Sequence, residues 1–108
     1  MNIMPRVQPT ISFQSLRNVT EKWTWRDKRT GVMTTGYNPP KDAIEKRQKP
    51  YYIRYITSKG ITEEGEVITL KVNLRKMQRM VKFTASNQVR WVRDYLVIEV
   101  DGMRVMTH

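Results

Sequence analysis

The chain has no cysteine and a single histidine, and only five glycines and five prolines occur among its 108 residues. Without cysteine it cannot form disulfides, zinc–cysteine sites or a thiol nucleophile. The histidine is the last residue, His108, where we expect no catalytic or metal-binding role because chain ends are seldom held in place. No apolar run approaches the roughly 20 residues of a membrane span, and residues 1–6 lack the pattern of a signal peptide. The prediction is a single cytoplasmic domain.

Catalytic motifs are missing as well. Neither a glycine-rich phosphate loop nor a serine-nucleophile motif occurs in the sequence. Glu63, Glu64 and Glu66 lie close together but lack the alternating Asp/Asn spacing of a calcium loop. Asp94 and Glu99 have no evident partner for general acid–base chemistry. We therefore expect a protein that is not an enzyme and that needs no metal or other cofactor.

Acidic residues are absent from residues 67–93, although the whole chain contains 10 of them against 20 Lys and Arg, for a net charge of +10. Basic residues in this stretch alternate with hydrophobic residues typical of strands, so they belong to a folded surface. They are Lys71, Arg75, Lys76, Arg79, Lys82, Arg90 and Arg93. A sheet face of one sign repels itself unless a polyanion docks on it. The expected partner is a nucleic acid, DNA or RNA, or alternatively an acidic protein surface.

The dipeptide Asp-Gly at 101–102 predicts a β-hairpin, because it lies between two runs of β-type hydrophobic residues and suits a two-residue type I′ turn. In this register Val100 lies opposite Met103. Glu99 lies opposite Arg104, which gives a favourable cross-strand ion pair.

A second hairpin is predicted around Ala-Ser-Asn at 85–87, with the asparagine near the left-handed position of a three-residue loop. Its register would place Val81 opposite Trp91 on the core side and Lys82 opposite Arg90 on the other side. Like charges directly opposite each other are destabilising. A bound phosphate would relieve the Lys82–Arg90 pair, so the two residues are predicted to form one anion site.

Further elements follow from alternation and from turn residues. Strands are predicted over residues 51–57, 66–72, 19–26 and 32–37, and one short helix over residues 41–48. Trp23 and Trp25 would share one face of their strand, with at least one of them in the core. The predicted organisation is an extended arm (1–18), a β-hairpin with a short helical connection (19–50) and a small five-stranded barrel (51–108).

The last strands resemble a known fold. Val-Lys-Phe at 81–83, a tight turn, Val-Arg-Trp-Val at 89–92 and the run 94–100 resemble the closing strands of SH3-like and Tudor-type barrels. Arg-Asp-Tyr at 93–95 would sit where such barrels often have a 3₁₀ turn. The resemblance implies a binding module rather than a catalyst, although the aromatic cage of a methyl-lysine reader cannot be placed on these residues. An OB-type barrel is the alternative, with binding along one sheet face.

The predicted function is non-catalytic nucleic-acid binding through the phosphate backbone. The predicted contact residues are Arg75, Lys76, Arg79, Lys82, Arg90, Arg93, Tyr52 and Arg54. Tyr52 is included because Tyr51, Ile53 and Tyr55 share the opposite, packed face of their strand, which leaves Tyr52 free to stack on a base. The alternative is a structural or adaptor subunit of a larger assembly, such as a virion or mobile-element complex built in the cytoplasm. Its residues 1–17, rich in apolar side chains, would pack on a neighbouring copy.

Overall fold

The computed structural model describes residues 8–106, which fold into ten strands, one short helix and two 3₁₀ turns. The strands are β1 (Thr10–Ser12), β2 (Trp23–Arg26), β3 (Met33–Gly36), β4 (Ile44–Gln48), β5 (Tyr51–Ile56), β6 (Thr62–Asn73), β7 (Gln78–Phe83), β8 (Val89–Arg93), β9 (Val97–Val100) and β10 (Met103–Met106). Helix α1 spans Arg17–Thr20, and the 3₁₀ turns span Phe13–Ser15 and Asp94–Leu96. These elements confirm the predicted mostly-β fold. Within this range no helix is long and apolar enough to cross a membrane.

The strands form two sheets. Seven of them lie in the order β1-β10-β9-β5-β6-β7-β8, with β1 parallel to β10 and the other pairs antiparallel. Three lie in the order β3-β2-β4. Neither sheet closes into a barrel within the described residues, so the five-stranded SH3-like or OB-like barrel is not confirmed. The 3₁₀ turn expected around residues 93–95 is present at Asp94–Leu96.

The hairpin at 101–102 has the predicted register. Val100 pairs with Met103, and Glu99 pairs with Arg104. Both turn residues have positive φ, 46° for Asp101 and 77° for Gly102, as the type I′ turn requires.

The β7–β8 hairpin is shifted by one residue from the predicted register. Lys82 pairs with Val89 rather than with Arg90. The N–H of Phe83 donates to the carbonyl of Gln88 at 2.9 Å, which leaves a four-residue loop over 84–87.

The cause of the shift lies at Thr84, which bonds to β6 rather than to β8. Its N–H donates to the carbonyl of Glu66 at 3.0 Å, and its hydroxyl donates to the Glu66 carboxylate at 2.8 Å. These bonds remove Thr84 from the β7–β8 ladder. Asn87, at the end of the loop, has the predicted left-handed conformation with φ 59°.

The core lies on one face of the large sheet. Tyr51, Ile53 and Tyr55 of β5 are buried there, as their shared face predicted. The other buried hydrophobic residues of this cluster are Leu16, Val67, Val81, Val92, Val97, Val100 and Val105. Leu16 contributes to the core from the turn that precedes α1.

Of the arm predicted over residues 1–18, the described part is extended at β1 and then turns at Phe13–Ser15. From Thr10 the chain belongs to its own large sheet, because β1 pairs with β10. The hydroxyl of Ser12 then accepts the N–H of Ser15 at 3.2 Å and caps the first 3₁₀ turn. Phe13 stacks on Tyr95 with ring centroids 5.1 Å apart. Residues 1–7 lie outside the described part of the chain, so the predicted contact of the arm with a neighbour stays a prediction.

The helix predicted over residues 41–48 is wrong, because Ile44–Gln48 is strand β4. A helix of this length is marginal in water on its own, and this segment has few apolar residues to bury. Pairing with β2 satisfies its backbone instead. In β2, Trp25 is buried and Trp23 is half-buried, which agrees with the prediction that at least one of the two tryptophans lies in the core.

Candidate nucleic-acid interface

The three strands β6, β7 and β8 present one face to the core and one to solvent. Arg79 and Val81 of β7 and Val92 of β8 point inward, since all three are buried. Their sequence neighbours point outward because side chains alternate along a strand. Directly opposed residues share a face, and the pairing therefore defines a solvent face. We call it the basic face; its members are Ile68, Lys82 and Val89 in one row, Lys71, Met80 and Trp91 in the next, and Asn73, Gln78 and Arg93 in the third.

Three cations of the basic face have no acidic partner in the described part of the chain. Among residues 8–106, no carboxylate oxygen lies within 4 Å of the charged nitrogens of Lys71, Lys82 or Arg93. The nearest acid along β6 is Glu66, whose carboxylate accepts a hydrogen bond from Thr84. The charge of this face is therefore not balanced from within.

Two further predicted residues extend the basic face at one end. Arg75 and Lys76 are exposed in the turn between β6 and β7, and the N–H of Lys76 donates to the Asn73 side chain at 3.0 Å. The N–H of Asp94 donates to the carbonyl of Met77 at 2.9 Å, which holds the end of β8, and with it Arg93, beside this turn. The structure therefore brings Arg75, Lys76 and Arg93 to one end of the face, with Lys82 on the same three strands.

Trp91 lies in the middle of this face, and the prediction that it faces the core is wrong. It pairs with Met80, and 49% of it is exposed. The one-residue shift of the hairpin moves the indole from the inner to the outer side. Sequence reasoning missed this residue because the run Val-Arg-Trp-Val-Arg has apolar residues on both faces of the strand. The run itself therefore does not decide whether Trp91 or Val92 faces the core.

Arg79, by contrast, is unavailable to a partner. It is 3% exposed, and its Nε donates to the Oδ1 of Asp94 at 2.8 Å. A second nitrogen, Nη2, donates to the other carboxylate oxygen at 3.3 Å, and Nη1 donates to the hydroxyl of Thr20. Because its charge is balanced by Asp94 inside the molecule, Arg79 cannot serve as a contact residue for a nucleic acid.

Tyr52 and Arg54 are exposed or half-exposed as expected but lie among acids. Arg54 of β5 pairs with Glu64 on one side and with Glu99 on the other, and its Nη2 is 3.9 Å from the Glu99 carboxylate. The hydroxyl of Tyr52 donates to the Glu64 carboxylate at 2.7 Å. This bond raises the pKa of Tyr52. The structure does not join these two residues to the uncompensated cations of the basic face.

Arg90 points to the other side of the sheet from Lys82. It pairs with the buried Val81, and its guanidinium donates to the side chain of Gln88 at 3.1 Å and to the carbonyl of Val89 at 2.9 Å. The predicted anion site formed by Lys82 and Arg90 is therefore wrong. Arg90 instead lines a groove between β8 and the turn that joins β5 to β6.

Within residues 8–106, no group of three or more His, Cys, Asp or Glu side chains is placed to hold a metal ion. The chain was also compared with known proteins. No protein-family model matches it, no curated protein is significantly similar to it, and no solved structure matches it significantly.

Proposed function

We propose that this chain is a non-catalytic nucleic-acid-binding protein that contacts phosphates through the basic face. The observation that carries the proposal is the set of uncompensated cations on β6, β7 and β8 and in the turn between β6 and β7. They are Lys71, Lys82, Arg93, Arg75 and Lys76. A polyanion would lower the repulsion among them and would release its own counterions on binding. Binding of this kind positions the ligand but reads little of its sequence.

Trp91 adds a contact that phosphates alone would not use. An exposed aromatic ring between basic side chains is suited to stacking on an unpaired base, which contributes about 1–3 kcal/mol per base. Bases of a duplex are already stacked on each other. We therefore propose a single strand, DNA or RNA, as the preferred ligand.

The small barrel remains part of the proposal. Strands β9, β5, β6, β7 and β8 are neighbours in the sheet in that order, and the 3₁₀ turn Asp94–Leu96 joins β8 to β9 along the chain. These are the elements that a curled, SH3-like five-stranded unit would use. A cytoplasmic location is likewise a proposal.

Salt dependence tests the phosphate contacts. With five cations engaged, the logarithm of the binding constant for a labelled single-stranded oligonucleotide should fall against the logarithm of salt concentration with a slope of about −3.5. Lys82→Gln should weaken binding and make the slope shallower by about 1. Lys41→Gln removes the same charge from an exposed residue outside β6–β8 and should change neither quantity beyond experimental error.

Trp91→Ala tests the stacking. It should lower single-strand affinity by about 1–3 kcal/mol while leaving the salt slope unchanged, because no charge is removed. Fluorescence anisotropy measures both quantities. Affinity that does not respond to salt, or an equal loss in the Lys82→Gln and Lys41→Gln variants, would refute the proposal.

The second candidate function is an adaptor or structural subunit of a larger assembly. A separate observation favours it: β8 is the last strand of the large sheet and has no neighbour on its outer side among the described residues. Exposed strand edges pair readily with other chains.

A further inference from the structure

The outer edge of β8 carries backbone groups that the sheet does not use. The N–H of Phe83 bonds to the carbonyl of Gln88, and the N–H of Asp94 bonds to the carbonyl of Met77. Along an antiparallel pair the bonded residues alternate. Arg90 and Val92 therefore turn their backbone groups toward β7, whereas residues 89, 91 and 93 turn theirs outward.

Most of these outward groups have no partner among residues 8–106. In the described part of the chain, the carbonyl of Val89 accepts the Arg90 guanidinium at 2.9 Å, and no strand pairs with this edge. The N–H groups of Val89, Trp91 and Arg93 and the carbonyl of Trp91 thus form a template for one more strand, whereas the carbonyl of Arg93 belongs to the 3₁₀ turn that Arg93 caps. A peptide backbone matches this template, whereas a sugar–phosphate backbone has no equivalent series of donors and acceptors.

A groove of about 450 Å³ runs beside this edge, between β8 and the turn that joins β5 to β6. Of the described residues that line it, three are cations, Lys59, Arg90 and Arg93, and one is an acid, Glu63. Arg90 and Lys59 lie outside the ion pairs formed within residues 8–106. The charge of the groove therefore favours an acidic occupant.

Tyr55 supplies a second, independent sign of a ligand. It lines the groove and is 2% exposed, yet its hydroxyl has no hydrogen-bond partner among the described residues. Buried hydroxyls without partners are uncommon, because the missing bond is costly. A carboxylate that entered beside Arg90 would accept a bond from this phenol as well.

We propose that the edge of β8 binds an extended acidic peptide segment of a partner protein, which adds a strand to the sheet and places a carboxylate between Arg90, Lys59 and the Tyr55 hydroxyl. A second copy of this chain is a poorer occupant. It would bring the Arg90 and Arg93 of one copy against those of the other, and like charges across a strand pair are unfavourable. The two surfaces share Trp91 and Arg93 at the edge of β8. Arg90, Lys59 and Tyr55 lie outside the basic face, so substitutions there and at Lys82 allow either proposal to fail alone.

The test uses the full chain, labelled for NMR, and an acetylated octapeptide in which glutamate alternates with valine. Addition of a strand should slow hydrogen exchange at the amides of Val89, Trp91 and Arg93 by about tenfold or more at saturation, because those amides become bonded. A peptide in which lysine alternates with valine should not bind. Val89→Pro removes one outward N–H without removing a bond to β7. It should therefore lower the affinity for the glutamate peptide.

A pair of matched variants separates the two surfaces. Arg90→Gln should lower the affinity for the glutamate peptide about tenfold, which is the typical effect of losing one charge-assisted hydrogen bond. It should leave the oligonucleotide affinity unchanged. Lys82→Gln should weaken binding of the oligonucleotide and leave the affinity for the peptide unchanged. Tyr55→Phe should weaken binding of the peptide without lowering the thermal midpoint of the free protein, because residues 8–106 offer the hydroxyl no hydrogen-bond partner.

Three results would overturn the inference. The first is that the glutamate peptide fails to slow exchange at these three amides, or that the lysine peptide binds equally well. The second is that an oligonucleotide slows the same amides, which would assign the edge to nucleic acid. The third is that exchange slows with protein concentration alone, which would assign the edge to a second copy.

Discussion

Replacing Asp94 with alanine should be among the most damaging single changes in this molecule. Arg79 and Asp94 are 3% and 7% exposed, and two nitrogen–oxygen contacts of 2.8 and 3.3 Å join them. Thr20, the other partner of the guanidinium, is a neutral hydroxyl and cannot balance its charge. The variant would therefore leave a cation buried without a counter-ion.

Removing one partner of a buried ion pair typically costs about 3–5 kcal/mol. A domain of this size has a total unfolding free energy of about 5–15 kcal/mol, so Asp94→Ala should lose a large share of it. The exposed pair Arg26–Glu45 provides the control, with a contact of 3.1 Å and side chains that are 39% and 57% exposed. Glu45→Ala should cost about 1 kcal/mol or less, because solvent screens an exposed pair.

Urea unfolding followed by circular dichroism gives these free energies. A double variant, Arg79→Met with Asp94→Leu, should recover most of the loss, since apolar replacements of a buried pair are often neutral or stabilising. If Asp94→Ala costs no more than Glu45→Ala, or if the double variant is as unstable as the single one, then the buried charge is not what makes this pair important.

Changes at three other positions should have smaller, distinct effects. Burial raises the pKa of Tyr51 to about 12. The stabilisation that the protonated phenol gives the folded state is therefore complete below about pH 10, and about 2–3 kcal/mol of unfolding free energy is lost as pH rises toward 12. Urea unfolding of wild type and Tyr51→Phe across this range should show a weaker pH dependence in the variant. Gly36→Ala would place a Cβ 3.0 Å from the Trp25 ring, and it should cost about 1–3 kcal/mol through overpacking, visible as a change in tryptophan fluorescence and a lower unfolding midpoint. Asn87 has φ 59°, so Asn87→Gly should be neutral or slightly stabilising in thermal unfolding, whereas Asn87→Val should destabilise by about 1–2 kcal/mol.

Local chemistry explains which parts of the fold could be predicted. The turn at 101–102 needs two residues that accept positive φ, and Asp-Gly meets that need without help from the rest of the chain. The alternation of Tyr51, Ile53 and Tyr55 is equally local, because the opposite face of β5 carries a charge at Arg54. Segment 41–48 could not be assigned in this way. Its backbone is satisfied by β2, a neighbour that its own residues do not specify.

The candidate site depended on a contact that sequence reasoning could not supply. Whether the β7–β8 loop has three or four residues is decided by Thr84, which bonds to Glu66 on a third strand. Because side chains alternate with a period of two, a shift of one residue exchanges the two faces of β8. That exchange places Trp91 beside the cations of the basic face and moves Arg90 into the groove on the other side. The hydrogen bonds of Thr84 to a third strand thus explain why the predicted Lys82–Arg90 anion site is replaced by the two surfaces proposed for this protein.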